Sequence, residues 1–187
     1  MTEEEIRKIE AGYSEAKIQH TCVEWYRSRC KTWFAEVLSL NFDPRLLLYA
    51  VPNGGQRSKA SAGMRKYEGV VPGVADLIFQ CGSNDGEYCY LAIEMKTMKG
   101  SQSSDQKKWE RVATLFGGKY VICRSIIDFC KIMCEYVGKD YDKELDILLF
   151  RYPTYLGTAI DVDLEREKLK RFTRKLNRGY GKRLDQD

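Results

Sequence analysis

Four stretches of the chain are almost wholly apolar and bounded by turn residues: LLLYAVP (46–52), ADLIFQC (75–81), YCYLAIEMK (88–96) and KYVICR (119–124). Short apolar runs bounded by Gly, Pro, Asn or Asp read as strands. Other segments repeat their apolar residues at helical spacing. Ser14 caps a helix running through EAKIQHTCVEWYRSRCKTWFAEVLSL, with Ile18, Cys22, Trp25 and Tyr26 on one face and a length that favours a break near Arg29. SKASAGMRKY (58–67) reads as a short helix closed by Gly69, Asp105 to Phe116 as an amphipathic helix ended by two glycines, and SIIDFCKIMCEYV as a helix with an apolar face. NFDPR, NGGQR, VVPG and GSNDGE are turns or loops. The order α, β, α, β, β, α, β, α predicts an α/β core: a mixed sheet flanked by helices on both sides. LLLYAVP is expected as a buried strand, and residues 138–163 read as irregular.

The strand pattern carries an anomaly. GVADLIF places Asp76, and LAIEMK places Glu94 and Lys96, on segments otherwise made for burial. The two runs are joined by a polar loop and predict a β-hairpin. With Cys81 facing Tyr88, Asp76 falls opposite Ile93. A bulge or a one-residue shift in the loop makes Asp76 and Glu94 direct neighbours, with Cβ atoms about 5 Å apart. Glu94 and Lys96 are two apart and share a face. Two carboxylates held that close repel, and a divalent cation between them removes the repulsion. Mg²⁺ takes oxygen ligands and keeps positions for water and phosphate. Such an ion polarises a phosphoryl oxygen and supplies hydroxide, and an adjacent lysine can orient or deprotonate water or offset charge on the phosphate. The structural alternative is a turn aspartate at a strand edge and a salt bridge on a half-exposed strand.

Composition narrows the setting. The chain has 187 residues, 43% apolar and 31% charged, as a globular protein does. No run approaches the ~18 apolar residues of a membrane span, and the polar MTEEEIRKIE start argues against a signal peptide. A cytoplasmic protein without a membrane partner is expected. Seven cysteines, an odd number with no C-x-x-C, read as buried and reduced thiols. With His20 as the single histidine, zinc sites and histidine-based hydrolysis are disfavoured.

Net charge is only +4, but from Lys168 to Arg183 there are eight basic residues and no acidic one. Acidic residues from Asp161 to Glu167 suit the start of a helix there. Lys168, Arg171, Lys175 and Arg178 then recur at steps of three and four, one basic stripe on that helix. It can be a DNA-backbone arm, a dimerisation helix or a solvated face; the phosphodiester chemistry of the core favours the first. Asn53, Gly54 and Gly55 can simply turn the chain, or let backbone N–H groups approach a phosphate, with Arg57 and Lys59 adding charge. Lys66 and Lys99 are weaker candidates for DNA contact. Ser103-x-x-Gln106 is a capping-box pattern at a helix start.

G-V-A-D, about eighteen residues and then E-M-K resembles the PD-(D/E)xK nuclease motif. VPNGGQR before it, GVVPGVADLIF at it, LAIEMK after it and GSQSSDQKKW next resemble, in order, the VRR-NUC (virus-type replication–repair nuclease) family over roughly residues 14–137. Ala75 stands where that family often has proline. The resemblance implies a restriction-endonuclease-like fold and a Mg²⁺- or Mn²⁺-dependent endonuclease. It implies metal ligands Asp76, Glu94 and the Met95 carbonyl, catalytic Lys96, and an acidic residue on the first helix, for which Glu15 matches best. Glu15 also sits in a helix first turn, where the dipole favours an acid regardless of function. Gln106 is implied near the scissile phosphate or water, although the cap alone explains it.

Short stand-alone members imply a homodimer cutting branched DNA in a bacterial or phage-infected cell; flap cutting, sequence-specific restriction, ribonuclease activity and an inactive DNA-binding protein are the alternatives. The expected organisation is a nuclease domain over 1–137 and a basic extension over 138–187.

Overall fold

The structure is a computed structural model that describes residues 1–52 and 69–155. The helix read at 58–67 and the basic stripe near the C-terminus lie outside those residues. Helix α1 (Glu3–Glu10) opens with a complete capping box: the Thr2 hydroxyl accepts from the Glu5 N–H, and the Glu5 carboxylate accepts from the Thr2 N–H at 2.8 Å. Helix α2 (Glu15–Trp33) starts at Ser14, whose hydroxyl accepts from the Lys17 N–H at 3.3 Å. It runs unbroken past Arg29, correcting the expected break there, because Ile18, Cys22, Trp25, Tyr26, Cys30 and Trp33 keep one buried face throughout. A 3₁₀ segment, Ala35–Leu40, ends at Asn41 in the left-handed region, and a second, Pro44–Leu47, leads into the sheet.

The sheet has four strands in the order β1 (Leu48–Ala50), β2 (Leu77–Phe79), β3 (Tyr90–Met95) and β4 (Gly118–Cys123). The first three are antiparallel neighbours, and β4 pairs parallel to β3. A parallel pair needs a crossover, and helix α3 (Ser104–Leu115) supplies it. Helix α4 (Ile126–Val137) follows β4, capped by Ser125 and ended by Gly138 in the left-handed conformation. The mixed sheet with helices on both faces is as expected. LLLYAVP, however, yields a three-residue edge strand in which only Leu48 is buried, while Leu46 is 73% exposed.

Strand alternation divides the core. Leu77, Phe79, Leu91, Ile93 and Met95 face α2 and α4, where Trp25 meets Phe129 and Tyr26 meets Phe79 edge-on at 5.9 and 5.6 Å. Ile78 and Ala92 face the other way, with Ala75, Tyr90, Trp109 and Tyr120. Glu94 has the parity of Ala92, so it belongs to the α3 side of the sheet.

The irregular reading of 138–163 is corrected for residues 141–155, which form helix α5. Leu148, Tyr152 and Tyr155 recur at helical spacing and join the main core. Pro153, which argues against a helix interior, lies near the end of the described span. Arg29 grips Glu144 with two bonds of 2.7 and 2.9 Å, tying α5 to α2. All seven cysteines are free, and five of them are buried.

Glu10 ends α1 inside this core, 2% exposed. Its carboxyl accepts from the Ile126 N–H at 2.9 Å and meets the Thr21 and Tyr152 hydroxyls at 3.4 and 3.3 Å. Burial pushes it from the ordinary 4.5 up to about 7, against the bonds from Ile126, Tyr152 and Thr21. Between those values the folded chain holds a proton that the unfolded chain has released, so stability falls as pH rises through this window and levels above it. Glu10→Gln keeps an acceptor and cannot ionise. Thermal denaturation should find the variant close to wild type near pH 4.5 and more stable by about 1–3 kcal/mol at pH 8; parallel pH profiles would contradict this.

Candidate active site

The β2–β3 register pairs Leu77 with Ile93, Ile78 with Ala92 and Phe79 with Leu91. This is one step from the pairing that sets Cys81 against Tyr88. Extended by one residue, it puts Asp76 opposite Glu94. Asp76 enters at a bend just before β2, and its Oδ2 accepts from the Met95 N–H at 2.9 Å. Its own carbonyl accepts from the Val51 N–H at 2.9 Å, which fixes the backbone on the other side.

Glu94 is fully buried, and Lys96 is 6% exposed. The Lys96 ammonium donates to Glu94 Oε1 at 2.5 Å and to the Met95 carbonyl at 3.3 Å, and lies 3.9 Å from Glu15 Oε1. Gln106 Nε2 also donates to Glu94 Oε1, and the Tyr120 hydroxyl donates to Oε2 at 3.3 Å. Burial pushes the Glu94 carboxyl up to about 7; the bond from Lys96 opposes this, and the Asp76 charge adds to it. Burial likewise raises the Tyr120 hydroxyl, keeping it a donor.

Gln106 serves both readings of its position. Its Oε1 accepts from the Ser103 N–H at 2.7 Å while its own N–H donates 3.2 Å away to the Ser103 hydroxyl, closing the capping box. The amide nitrogen remains for Glu94. Lys99 is exposed on the turn beyond Lys96. Asn53, Gly54, Gly55, Arg57, Lys59, Lys66, Lys168, Arg171, Lys175 and Arg178 lie outside the described residues.

Two groups were not legible as neighbours of the site. Tyr120 reaches Glu94 only because β4 lies beside β3. Arg124, just after β4, donates from Nη1 to the Thr97 carbonyl at 2.5 Å and the Gly100 carbonyl at 2.8 Å. It thereby pins the turn behind Lys96. That turn is close-packed: a Cβ on Gly100 would lie 3.2 Å from Lys96 Cδ and 3.3 Å from Glu15 Oε1.

Among the described residues, no group of three or more His, Cys, Asp and Glu side chains gathers to hold a metal ion. The donors that do meet here are a carboxylate pair and a backbone carbonyl. They are hard oxygen ligands of the kind Mg²⁺ and Mn²⁺ accept with water completing the shell. The uncompensated part of the Asp76–Glu94 repulsion is what such an ion would relieve, so the residues fit a divalent cation.

A mixed sheet with an aspartate at the entry of one strand and E-x-K at the end of the next defines a nuclease core of the PD-(D/E)xK type. Residues 13–126 match the VRR-NUC domain, and the chain belongs to that family. A solved structure described as a VRR_NUC domain protein is similar in fold, with a TM-score of 0.52 at 20% identity over 67% of this chain and 88% of its own. Comparison with curated proteins gave no match. The chain therefore carries a nuclease domain, a class that acts on DNA with a divalent metal. Among the described residues, no helix is long and apolar enough to cross a membrane.

Gly73, three residues before Asp76, sits at φ +82°, and a Cβ there would fall 2.4 Å from the Asp105 carbonyl carbon and oxygen. The loop to Asp76 is thus seated on the start of α3, which carries Gln106. Gly73→Ala should cost about 1–3 kcal/mol from backbone strain and displacement, read as a melting temperature lower by roughly 2–4 °C per kcal/mol in a chain of this size. An unchanged melting temperature would show that the loop is not held this way.

Proposed function

We propose that this protein is a Mg²⁺- or Mn²⁺-dependent DNA endonuclease with a restriction-endonuclease-like core, selective for branched DNA such as a four-way junction. The observation that carries the reading is the Lys96 ammonium 2.5 Å from a fully buried Glu94 carboxylate beside Asp76. An ion pair serving only stability has no need of a second carboxylate against it.

In this reading Asp76, Glu94 and the Met95 carbonyl hold the cation, with Glu15 at its margin. The bound cation supplies Lewis acidity toward a phosphate oxygen and acidifies water. Lys96 orients the attacking water and offsets charge gathering on the phosphate. Gln106 and Tyr120 hold the Glu94 oxygens in place, so the carboxylate needs no rearrangement as charge develops. Arg124 keeps the turn behind Lys96 from drifting, which fixes where the ammonium sits.

The proposed organisation keeps a nuclease unit over 1–137 and an extension over 138–187, whose first part, α5, packs on that unit. The proposed assembly is a homodimer, in which a two-fold axis would bring identical sites to both strands of a symmetric junction.

Purified protein should cut members of a panel of four-way junction, flap, bubble and linear DNA with Mg²⁺ or Mn²⁺. Asp76→Ala and Lys96→Ala should each lower the rate by about 10²–10⁴-fold. Cutting that survives in both variants would refute the assignment, and binding without any cutting would favour an architectural role. Deleting residues 164–187 should flatten the dependence of DNA affinity on salt, because fewer counterions are then released. An unchanged slope would remove the basic segment from the DNA interface.

A further inference from the structure

Beyond Tyr120 the hydrogen bonds continue away from the site. Gln102, two residues before α3, donates from Nε2 to Glu110 Oε2 on that helix at 2.8 Å. Gln102 also bonds the Tyr120 hydroxyl, in the sense that favours the ionised phenol, so the amide donates and the phenol oxygen accepts. The Tyr120 proton is then left for Glu94 Oε2, 3.3 Å away. Glu110, Gln102, Tyr120 and Glu94 thus form one run of donors and acceptors. The Tyr120 ring packs on Trp109, with centroids 6.0 Å apart. Packing holds the ring but leaves the hydroxyl free to turn about its C–O bond, so its hydrogen-bond partners decide where its one proton points.

A glutamine can face a hydroxyl with either end of its amide. Through nitrogen, Gln102 donates to Tyr120. Through oxygen, it would compete with Glu94 for the single Tyr120 proton. A carboxylate only accepts, so Glu110 holds the nitrogen end in place. Resting on the reading of Glu94 as a metal ligand, we propose that Glu110 and Gln102 are positioning residues: Glu110 orients the Gln102 amide, which commits the Tyr120 hydroxyl to Glu94 and so fixes the carboxylate that the cation would meet. They act through Tyr120, not by touching the reacting groups. Outer partners of this kind typically change metal affinity by about 10- to 100-fold. The competing explanations are that Glu110 contributes only its charge, or only packing on α3.

The test uses the full chain. Glu110→Gln and Glu110→Met remove the same charge at similar volume, and only the first retains an acceptor for the Gln102 amide. Calorimetric titration with Mn²⁺ should find Glu110→Gln within about threefold of wild type and Glu110→Met weaker by roughly tenfold. Melting of the metal-free protein gives a second, independent readout. Tyr120→Phe should lower the melting temperature by about 3–8 °C in the wild-type and Glu110→Gln backgrounds. In the Glu110→Met background, where the hydroxyl is no longer committed to Glu94, the same change should cost less than about half as much. Mn²⁺ affinities that fall alike in the two Glu110 variants would mark a charge effect. Equal melting shifts in all three backgrounds would mark packing alone. Either result overturns the inference. A wild type that binds no Mn²⁺ would refute the metal reading, and the metal-free melting would still decide whether Glu110 directs the Tyr120 hydroxyl to Glu94.

Discussion

A carboxylate with no exposure to water is the constraint around which this molecule is arranged. An ionised Glu94 at the end of a buried strand is unfavourable unless its charge is met and its lone pairs are filled. Each element around it contributes to that. The residue just after β3 supplies the Lys96 ammonium, the first turn of α3 supplies the Gln106 amide, and the neighbouring strand β4 supplies the Tyr120 hydroxyl. The turn after β3 is held by Arg124, and the loop before β2 is seated on α3 through Gly73. These arrangements over-determine one side chain, and Asp76 then adds an unfavourable neighbour. The like charge of Asp76 beside Glu94 is what the proposed cation would relieve.

Comparison with Glu10 separates the proposed metal-ligating carboxylate from a structural one in the same chain. Both are buried, and burial pushes both to about 7. Glu10 is surrounded by an N–H and two hydroxyls, all neutral donors that a protonated acid can share. Glu94 has an ammonium in contact and a second acid opposite. Neutral surroundings allow Glu10 to act as a cap for α4; charged surroundings set Glu94 apart and support its proposal as a ligand.

Much of this was legible in the residues. Charged positions inside apolar runs pointed to Asp76, Glu94 and Lys96, and the alternation of β3 put the last two on one face. The hairpin register was open by one residue because loop length alone does not fix it, and the Leu77–Ile93 pairing decides it in favour of Asp76 opposite Glu94. Thr2-x-x-Glu5 is the capping-box signature of α1. Helix α5 was obscured by Pro153, although Leu148, Tyr152 and Tyr155 keep helical spacing. Tyr120 and Arg124 could not be read at all, since their contacts depend on a parallel register between strands separated by a helix. LLLYAVP forms an edge strand rather than a buried one, and an apolar run gives no sign of which it will be.

The central claim is that Asp76 and Glu94 share a divalent ion, and direct binding tests it without relying on catalysis. Calorimetric titration of Mn²⁺ into the full chain should show binding in wild type that is lost in Asp76→Asn and in Glu94→Gln, both variants remaining folded by circular dichroism. Folded variants that bind Mn²⁺ as wild type does, or a wild type that binds none, would contradict the account.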